Sequence, residues 1–439
     1  MEPTSFAILI VVVALALIII GFPIAFALGG VAVVGAVLFY GPNGANMFVF
    51  RVFTLLQDYI LLAIPLFVFM GYLLDSTGIA ARMYQALRLV MGRLPGGLAL
   101  ATVATGTLFA AATGVVGASV VTLGVVAMPA MLGYFYDRRL AAGAVCSAGT
   151  LGILIPPSIL IVMYGPMGGL SVGQLFASTL LPGLLLATLY LLAILAYCWF
   201  RPEAGPALSG SDLDMPVSAR LMEFLRSAVP TLVLISSVLG AIIFGVAAPT
   251  EAAAVGAFAA ILLGALYREL TLARIYDAAM KTLAVSSMIF IVTIGASLFT
   301  GLFIRLGGRG LVEGLFLGLD VTPLAVVAIM LLIVIILGMF IDWIGILLIC
   351  VPLFSPIVVT LQLDPIWFAT LMIIALQISY LTPPFALSVF YLRSVSPPEM
   401  TTWEMYQGIL PFLCLQIGVL VLLLFWPPLA LWLPQLLYQ

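Results

Sequence analysis

Histidine is missing from all 439 positions, and with it go the commonest general base and the commonest transition-metal ligand. A Ser–His dyad and a His-Glu-x-x-His motif are therefore excluded. Charge is scarce as well: Asp, Glu, Lys and Arg make up 7% of the chain, against about 25% in soluble domains. The net charge of −2 and the lack of basic runs argue against a nucleic-acid partner. The four cysteines, Cys146, Cys198, Cys350 and Cys414, lie far apart in apolar segments and form neither metal-ligand spacing nor a disulfide framework. The N-terminus, MEPTSFAILIVVV, lacks a basic region before its apolar run, so no cleavable signal peptide is expected.

Apolar length is what the chain has in abundance. With 65% hydrophobic residues it reads as an all-α polytopic membrane protein surrounded by membrane lipid. Apolar spans fall at about 5–20, 23–40, 54–74, 140–170, 175–200, 228–246, 250–267, 282–304, 365–395 and 405–433. Two stretches remain, about 97–136 and 322–361, each long enough for two short crossings or one re-entrant hairpin. The centre of the first, Ala112-Thr113-Gly114-Val115-Val116-Gly117-Ala118-Ser119, has the small residues of a tight turn. The centre of the second, Gly338-Met339-Phe340-Ile341-Asp342-Trp343-Ile344-Gly345, holds a carboxylate.

Two spans carry proline pairs in their middles: Pro156-Pro157 within 140–170 and Pro383-Pro384 within 365–395. Proline lacks the backbone donor, clashes with the preceding turn and pushes the residue before it out of helical geometry. Each span is thus predicted to be two half-helices with an unwound joint, around Ile155–Ser158 in one and 381–385 in the other. Loose carbonyls at membrane depth persist only inside protein or against a wet cavity.

With the N-terminus outside and both stretches as hairpins, 12 of the 15 Lys and Arg fall inside and Arg51, Arg305 and Arg309 outside, as the positive-inside rule requires. Residues 201–227 read as a cytoplasmic connector between repeats over 1–200 and 228–439. Five landmarks recur at offsets of 223–227 residues. Gly21-Phe22-Pro23 resembles Ala247-Ala248-Pro249, while Gly71, Gly114, Pro129 and Pro156-Pro157 match Gly295, Gly338, Pro352 and Pro383-Pro384. Each half has five full spans plus a hairpin, and an odd number of crossings inverts the second copy. Inverted repeats with broken helices mark secondary transporters.

Such a site replaces water around an ion with unwound carbonyls, hydroxyls and half-helix ends. Ser158 and Thr382 offer hydroxyls at the joints; Thr113, Ser119 and Asp342 offer oxygens at the hairpin tips. A carboxylate in an apolar hairpin costs several kcal/mol unless paired, protonated or metal-bound, so Asp342 is read as a Na+ ligand or gate, with a helix N-cap as the alternative. Glu251 is explained by capping at a span's start. Arg82 and Arg88, on the amphipathic stretch 76–92, read as an interfacial arm, as do Arg305, Arg309 and Glu313 in 305–318; bracing a partner subunit is the functional alternative. The moving core is expected over 97–170 and 322–395, the remaining spans forming a scaffold.

Four motifs, Gly152-Ile153-Leu154-Ile155-Pro156-Pro157-Ser158, Ala248-Pro249-Thr250-Glu251-Ala252-Ala253, Ile64-Pro65-Leu66-Phe67 and Leu381-Thr382-Pro383-Pro384, resemble the large membrane subunit of TRAP transporters, the DctM family. The resemblance covers nearly the whole chain. It implies a subunit of a tripartite, ATP-independent uptake system working as an elevator-type carrier in the bacterial inner membrane, driven by a Na+ gradient. The implied partners are a periplasmic substrate-binding protein that captures an organic acid and a small four-helix membrane subunit on a separate chain. By resemblance, Na+ sites map onto Thr113-Gly114 with Ile155, Pro156 and Ser158, and onto Gly338 and Asp342 with Thr382 and Pro383. Many members have Gly-Ser-Ser at the first tip; here it is Gly114-Val115-Val116, which removes two hydroxyls. A carrier of the same fold working without a binding protein is the alternative. An intramembrane enzyme has no Gly-x-Gly-Asp partner for Tyr136-Asp137 or Tyr276-Asp277. A channel or a scaffold would not need paired broken helices. No Lys or Arg is expected in the cavity, so anion recognition would rest on Na+, helix ends or the binding protein.

Overall fold

A computed structural model describes residues 2–208, 216–318 and 320–438. The expected connector, 201–227, lies partly outside them, and so does the Thr113 side chain. The first half holds α1 (Pro3–Ile20), α2 (Ile24–Tyr40), α3 (Asn46–Leu56), α4 (Ala63–Ser76), α5 (Ile79–Met91), α6 (Gly97–Thr113), α7 (Val116–Gly133), α8 (Arg138–Leu154), α9 (Ile159–Gly168) and α10 (Val172–Phe200). The second holds α11 (Val217–Ile243), α12 (Pro249–Leu266), α13 (Leu272–Arg305), α14 (Gly308–Leu317), α15 (Pro323–Gly338), α16 (Trp343–Thr360), α17 (Pro365–Leu381), α18 (Leu387–Arg393), α19 (Thr402–Phe425) and α20 (Pro428–Tyr438). Among the described residues, ten helical stretches are long and apolar enough to cross a membrane.

The proline pairs break their spans where expected. Ile155 is extended (φ −82°, ψ 118°) between α8 and α9, and Thr382 is extended (φ −86°, ψ 122°) after α17. That is the geometry a following proline imposes. Both Pro-Pro bonds are cis. Hydroxyls close off part of the loosened backbone: Ser158 donates to the Ile153 carbonyl at 2.8 Å, Thr382 to Ile378 at 2.7 Å and Ser388 to Tyr380 at 2.8 Å. Protein covers the whole first joint, since residues 140–165 are buried without exception, whereas at the second joint burial ends at Leu381 and Pro384 and Phe385 are exposed.

Each of the two ambiguous stretches folds as two helices joined by a short turn. α6 and α7 turn at Gly114-Val115, with Gly114 left-handed (φ 60°), a conformation glycine takes without strain. α15 and α16 turn through 339–342. Elsewhere boundaries moved. The span expected over 54–74 divides into α3 and α4 near Asp58, whose carboxylate caps a short turn at Ile60. The span expected over 405–433 divides at Pro427 and Pro428, which cannot continue α19. α11 starts at Val217, so the end of the expected connector is already helical.

Packing separates two groups. α2 lies along α13, which also packs on α4; α4 packs on α12, and α12 on α11. The hairpins and broken helices form the other group: α8 packs on α6, α7, α17 and α19, and α15 on α17. Here the expected partition needs correction. α10, α19 and α20 were assigned to the scaffold, but α19 packs chiefly on α8 and α17, and α10 on α20, α6, α17 and α9. Glycine causes the closest of these contacts. A Cβ at Gly143 would lie 2.2 Å from the Gly408 carbonyl oxygen, and one at Gly408 2.1 Å from that of Arg139. With no side chain at either position, the backbones of α8 and α19 meet directly.

α5 lies between α11 and α6, and α14 between α13 and α16, so each arm touches both groups. Arg82 is more than a snorkelling cation. Its guanidinium pairs with Glu269 at 2.8 Å and lies 4.9 Å from the centre of the Tyr267 ring, bracing α5 within this chain. Arg274 pairs with the same carboxylate. The Arg274 hydrogen bond and charge, joined by Arg82, hold the Glu269 carboxyl below the usual range for glutamate.

Candidate functional site

Both hairpin turns, and residues flanking both helix breaks, line a cavity of about 470 Å3. Its wall includes Gly114 to Ala118 from the first hairpin, Ile153, Ile159 and Leu160 around the first break, and Asp342 to Ile344 from the second hairpin. Tyr380 and Tyr391 come from either side of the second break.

Each hairpin meets the broken helix of its own half. A Cβ at Gly114 would stand 3.3 Å from the Ile159 nitrogen and 3.4 Å from the Pro157 oxygen, so the first tip rests on the first joint. One at Gly338 would stand 2.2 Å from Ser379 Oγ, so α15 and α17 touch there. The Tyr380 hydroxyl donates to Asp342 Oδ1 at 3.0 Å. Asp342 occupies the N-cap position of α16 and approaches the Trp343 and Ile344 amides without closing a capping hydrogen bond. The halves also interlock: α18 packs on α7 and α8, α9 packs on α16, and a Cβ at Gly117 would lie 3.2 Å from Tyr391 Cζ.

Of the candidate ion-site residues, Gly114 and Asp342 line the cavity. Ile155, Pro156 and Ser158 are buried behind its wall, one to three residues from Ile153 or Ile159. Gly338 is buried against Ser379. Thr382 and Pro383 sit at the second joint, between Tyr380 and Tyr391. The oxygens gathered here are hard donors of the kind an alkali cation takes: joint carbonyls, the Ser158 and Thr382 hydroxyls and the Asp342 carboxylate. Among the described residues no cluster of three His, Cys, Asp or Glu is placed to hold a metal ion, so a transition-metal centre does not fit this donor set.

The remaining wall comes from ordinary spans, and sequence reasoning missed it. Tyr72 and Asp75 of α4, and Lys281, Val285, Met288 and Ile289 of α13, complete the lining. The expectation of a cavity without Lys or Arg is therefore corrected: the Lys281 ammonium stands at its edge, paired with Asp277 at 2.8 Å. Lys281 reads in sequence as one of the inside positive charges. The available signal was its spacing to Val285, Met288 and Ile289, which sets all four on one helix face. Asp75 accepts a hydrogen bond from Thr122 of α7 at 2.7 Å, a polar contact between the two packing groups.

Among the described residues, ten apolar helical stretches, one of them interrupted at Pro156-Pro157, with a second interrupted helix at Pro383-Pro384 and a mixed polar and apolar cavity between the hairpin turns, define a multi-pass membrane permease fold. The family described as Tripartite ATP-independent periplasmic transporter, DctM component, matches residues 11–429. The C4-dicarboxylate TRAP transporter large permease protein DctM of Pseudomonas aeruginosa is 31% identical over 400 residues, 91% of this chain and 92% of that protein. The isethionate TRAP transporter permease protein DctMQ of Oleidesulfovibrio alaskensis is 29% identical over 412 residues, 93% of this chain; the match spans 63% of that longer relative. The crystal structure of the Alcanivorax borkumensis YdaH transporter shares the fold, with a TM-score of 0.64 at 14% identity over 98% of this chain and 99% of that one. The chain belongs to the DctM family, the large permease component of tripartite ATP-independent periplasmic transporters. It is a transport protein, not an enzyme.

Proposed function

We propose that this permease takes up an organic acid across the bacterial inner membrane, driven by a Na+ gradient. A periplasmic binding protein delivers the acid, and a small four-helix membrane subunit braces the permease. The observation that carries this reading is a cavity of about 470 Å3 lined by both hairpin turns and by residues flanking both helix breaks. Its volume suits a small organic solute. Its oxygens, with Asp342 among them, suit Na+. Acidic relatives' solutes and the word tripartite in the family description support the substrate class and the two partners.

The mechanism is an elevator. The core of α6–α10 with α15–α20 carries the ion ligands, and α1–α4 with α11–α13 form the scaffold. The arms α5 and α14 touch both and let one slide past the other while the two halves keep inverted orientations. Tyr72, Asp75 and Lys281 lie toward the ends of α4 and α13 that adjoin Arg82 and Arg274, which the proposed topology puts inside.

The test begins with a ligand screen on the partner binding protein. The acid it captures is then followed into proteoliposomes holding the permease and its small subunit. Uptake should require the binding protein and an inward Na+ gradient. Undiminished uptake after the gradient is dissipated would contradict the coupling. Uptake without the binding protein would favour a stand-alone carrier of the same fold.

A further inference from the structure

Lys281 is the single cationic side chain on the cavity wall among the described residues, facing two carboxylates, Asp75 and Asp342. It lies nine residues into α13, about 14 Å along the helix, at the end of the strip formed by Val285, Met288 and Ile289. Among the described residues its only ion pair is with Asp277 one turn away, and both side chains are half exposed, at 52% and 54%. Exposed pairs of this spacing are weak, so the ammonium is not committed to Asp277. Asp277 itself does not line the cavity. Of the two acids on the wall, Asp342 accepts a hydrogen bond from Tyr380, and Asp75 accepts one from Thr122 while also attracting Lys281 through space without a direct ion pair.

An anion entering this cavity meets two carboxyl groups and one ammonium. We propose that Lys281 binds the carboxylate of the transported acid, drawing its ammonium away from Asp277 to do so. This deepens the organic-acid reading above and rests on it. Lysine suits the task because its compact charge sits on a flexible stem whose carbons can lie along the Val285–Met288 strip. The placement also gives the contact a time limit. Lys281 belongs to α13, whereas the hairpin tips belong to the packing group of α8 and α17. A solute held by both bridges the two groups, and their relative movement breaks the Lys281 contact.

The experiment compares the parent with Lys281→Gln, Lys281→Arg and Asp277→Asn in proteoliposomes holding the permease and its small subunit. The probe is the acid captured in the binding-protein screen, read as exchange at saturating binding protein without a Na+ gradient, so ion coupling does not enter. The amount of each variant in the membrane is measured alongside. Lys281→Gln should lose at least about tenfold in exchange rate, the worth of one charged hydrogen bond. Lys281→Arg should recover most of it, and Asp277→Asn should exchange at the parent rate. Parent-rate exchange by Lys281→Gln overturns the assignment, and so does an Arg variant as inactive as Gln. Equal losses in Lys281→Gln and Asp277→Asn also overturn it, since the ion pair would then act structurally. A parent that carries no organic acid contradicts the functional reading itself, whereas an active parent with an unaffected Lys281→Gln contradicts this assignment alone.

Discussion

The Tyr380 hydroxyl points at the Asp342 carboxylate across 3.0 Å, joining the second hairpin to the second broken helix. The carboxylate also sits at the N-cap of α16, beside the Trp343 and Ile344 amides, so ion ligation and helix capping are two roles that substitution must separate. As an ionised ligand it would supply the charge that Na+ needs on losing its water. Asp342→Asn keeps the shape and the capping capacity while removing the charge. It should insert and assemble with the small subunit yet lose most Na+-driven uptake. Tyr380→Phe should keep uptake but raise the Na+ concentration for half-maximal rate, by about tenfold for a lost hydrogen bond to a charged group. Parent-rate uptake by Asp342→Asn with unchanged Na+ dependence would show that the charge is not used.

The seam between α8 and α19 gives a stability prediction. A side chain at Gly143 has no room before the Gly408 carbonyl. Gly143→Leu should therefore destabilise the permease by about 1–3 kcal/mol, the usual range for overpacking. Thermal unfolding in detergent checks this against Gly133→Ala, whose Cβ meets nothing within 4 Å. Equal midpoints for the two would contradict the seam.

The joints at Pro156-Pro157 and Pro383-Pro384 were legible because proline acts locally, through its own ring and missing donor. The hairpin turns were legible because Gly114 and the small residues beside it interrupt an apolar run, and Asp342 stood out as a carboxylate in such a run. Lys281 and Asp75 were not. Each lies in a span that reads as ordinary, near a charged end, and its place on the cavity wall follows from the packing of α4 and α13 against the hairpins. The allegiance of α10 and α19 was hidden for a related reason. Their residues are apolar on every side, so no stripe in the sequence marks the partner.

Glu269 gives a pH dependence. Its native carboxyl is held below the usual range, first by the Arg274 hydrogen bond and charge. The contribution is thus fully present above the ordinary glutamate value of about 4.3 and is lost as pH falls through the lower native value. At pH 7 the parent should unfold at a higher temperature than Glu269→Gln, and the gap should close in acid below about pH 4. The group is exposed, so added salt should narrow the gap as well. A gap that widens on acidification would contradict the sign.

Sliding of the core past the scaffold is tested most directly at Thr300 of α13, whose hydroxyl donates to the Leu348 carbonyl of α16 at 2.9 Å. Neither residue lines the central cavity. Thr300→Cys combined with Leu348→Cys, in a chain whose exposed Cys414 is replaced by Ser, can be bridged with mercuric ion in proteoliposomes. Uptake driven by loaded binding protein and a Na+ gradient is then measured before bridging, after it, and after a thiol has removed the metal. Bridging should stop uptake and the thiol should restore it, while the proteins carrying Thr300→Cys or Leu348→Cys alone stay active throughout. Uptake at the unbridged rate with the bridge in place would contradict the elevator.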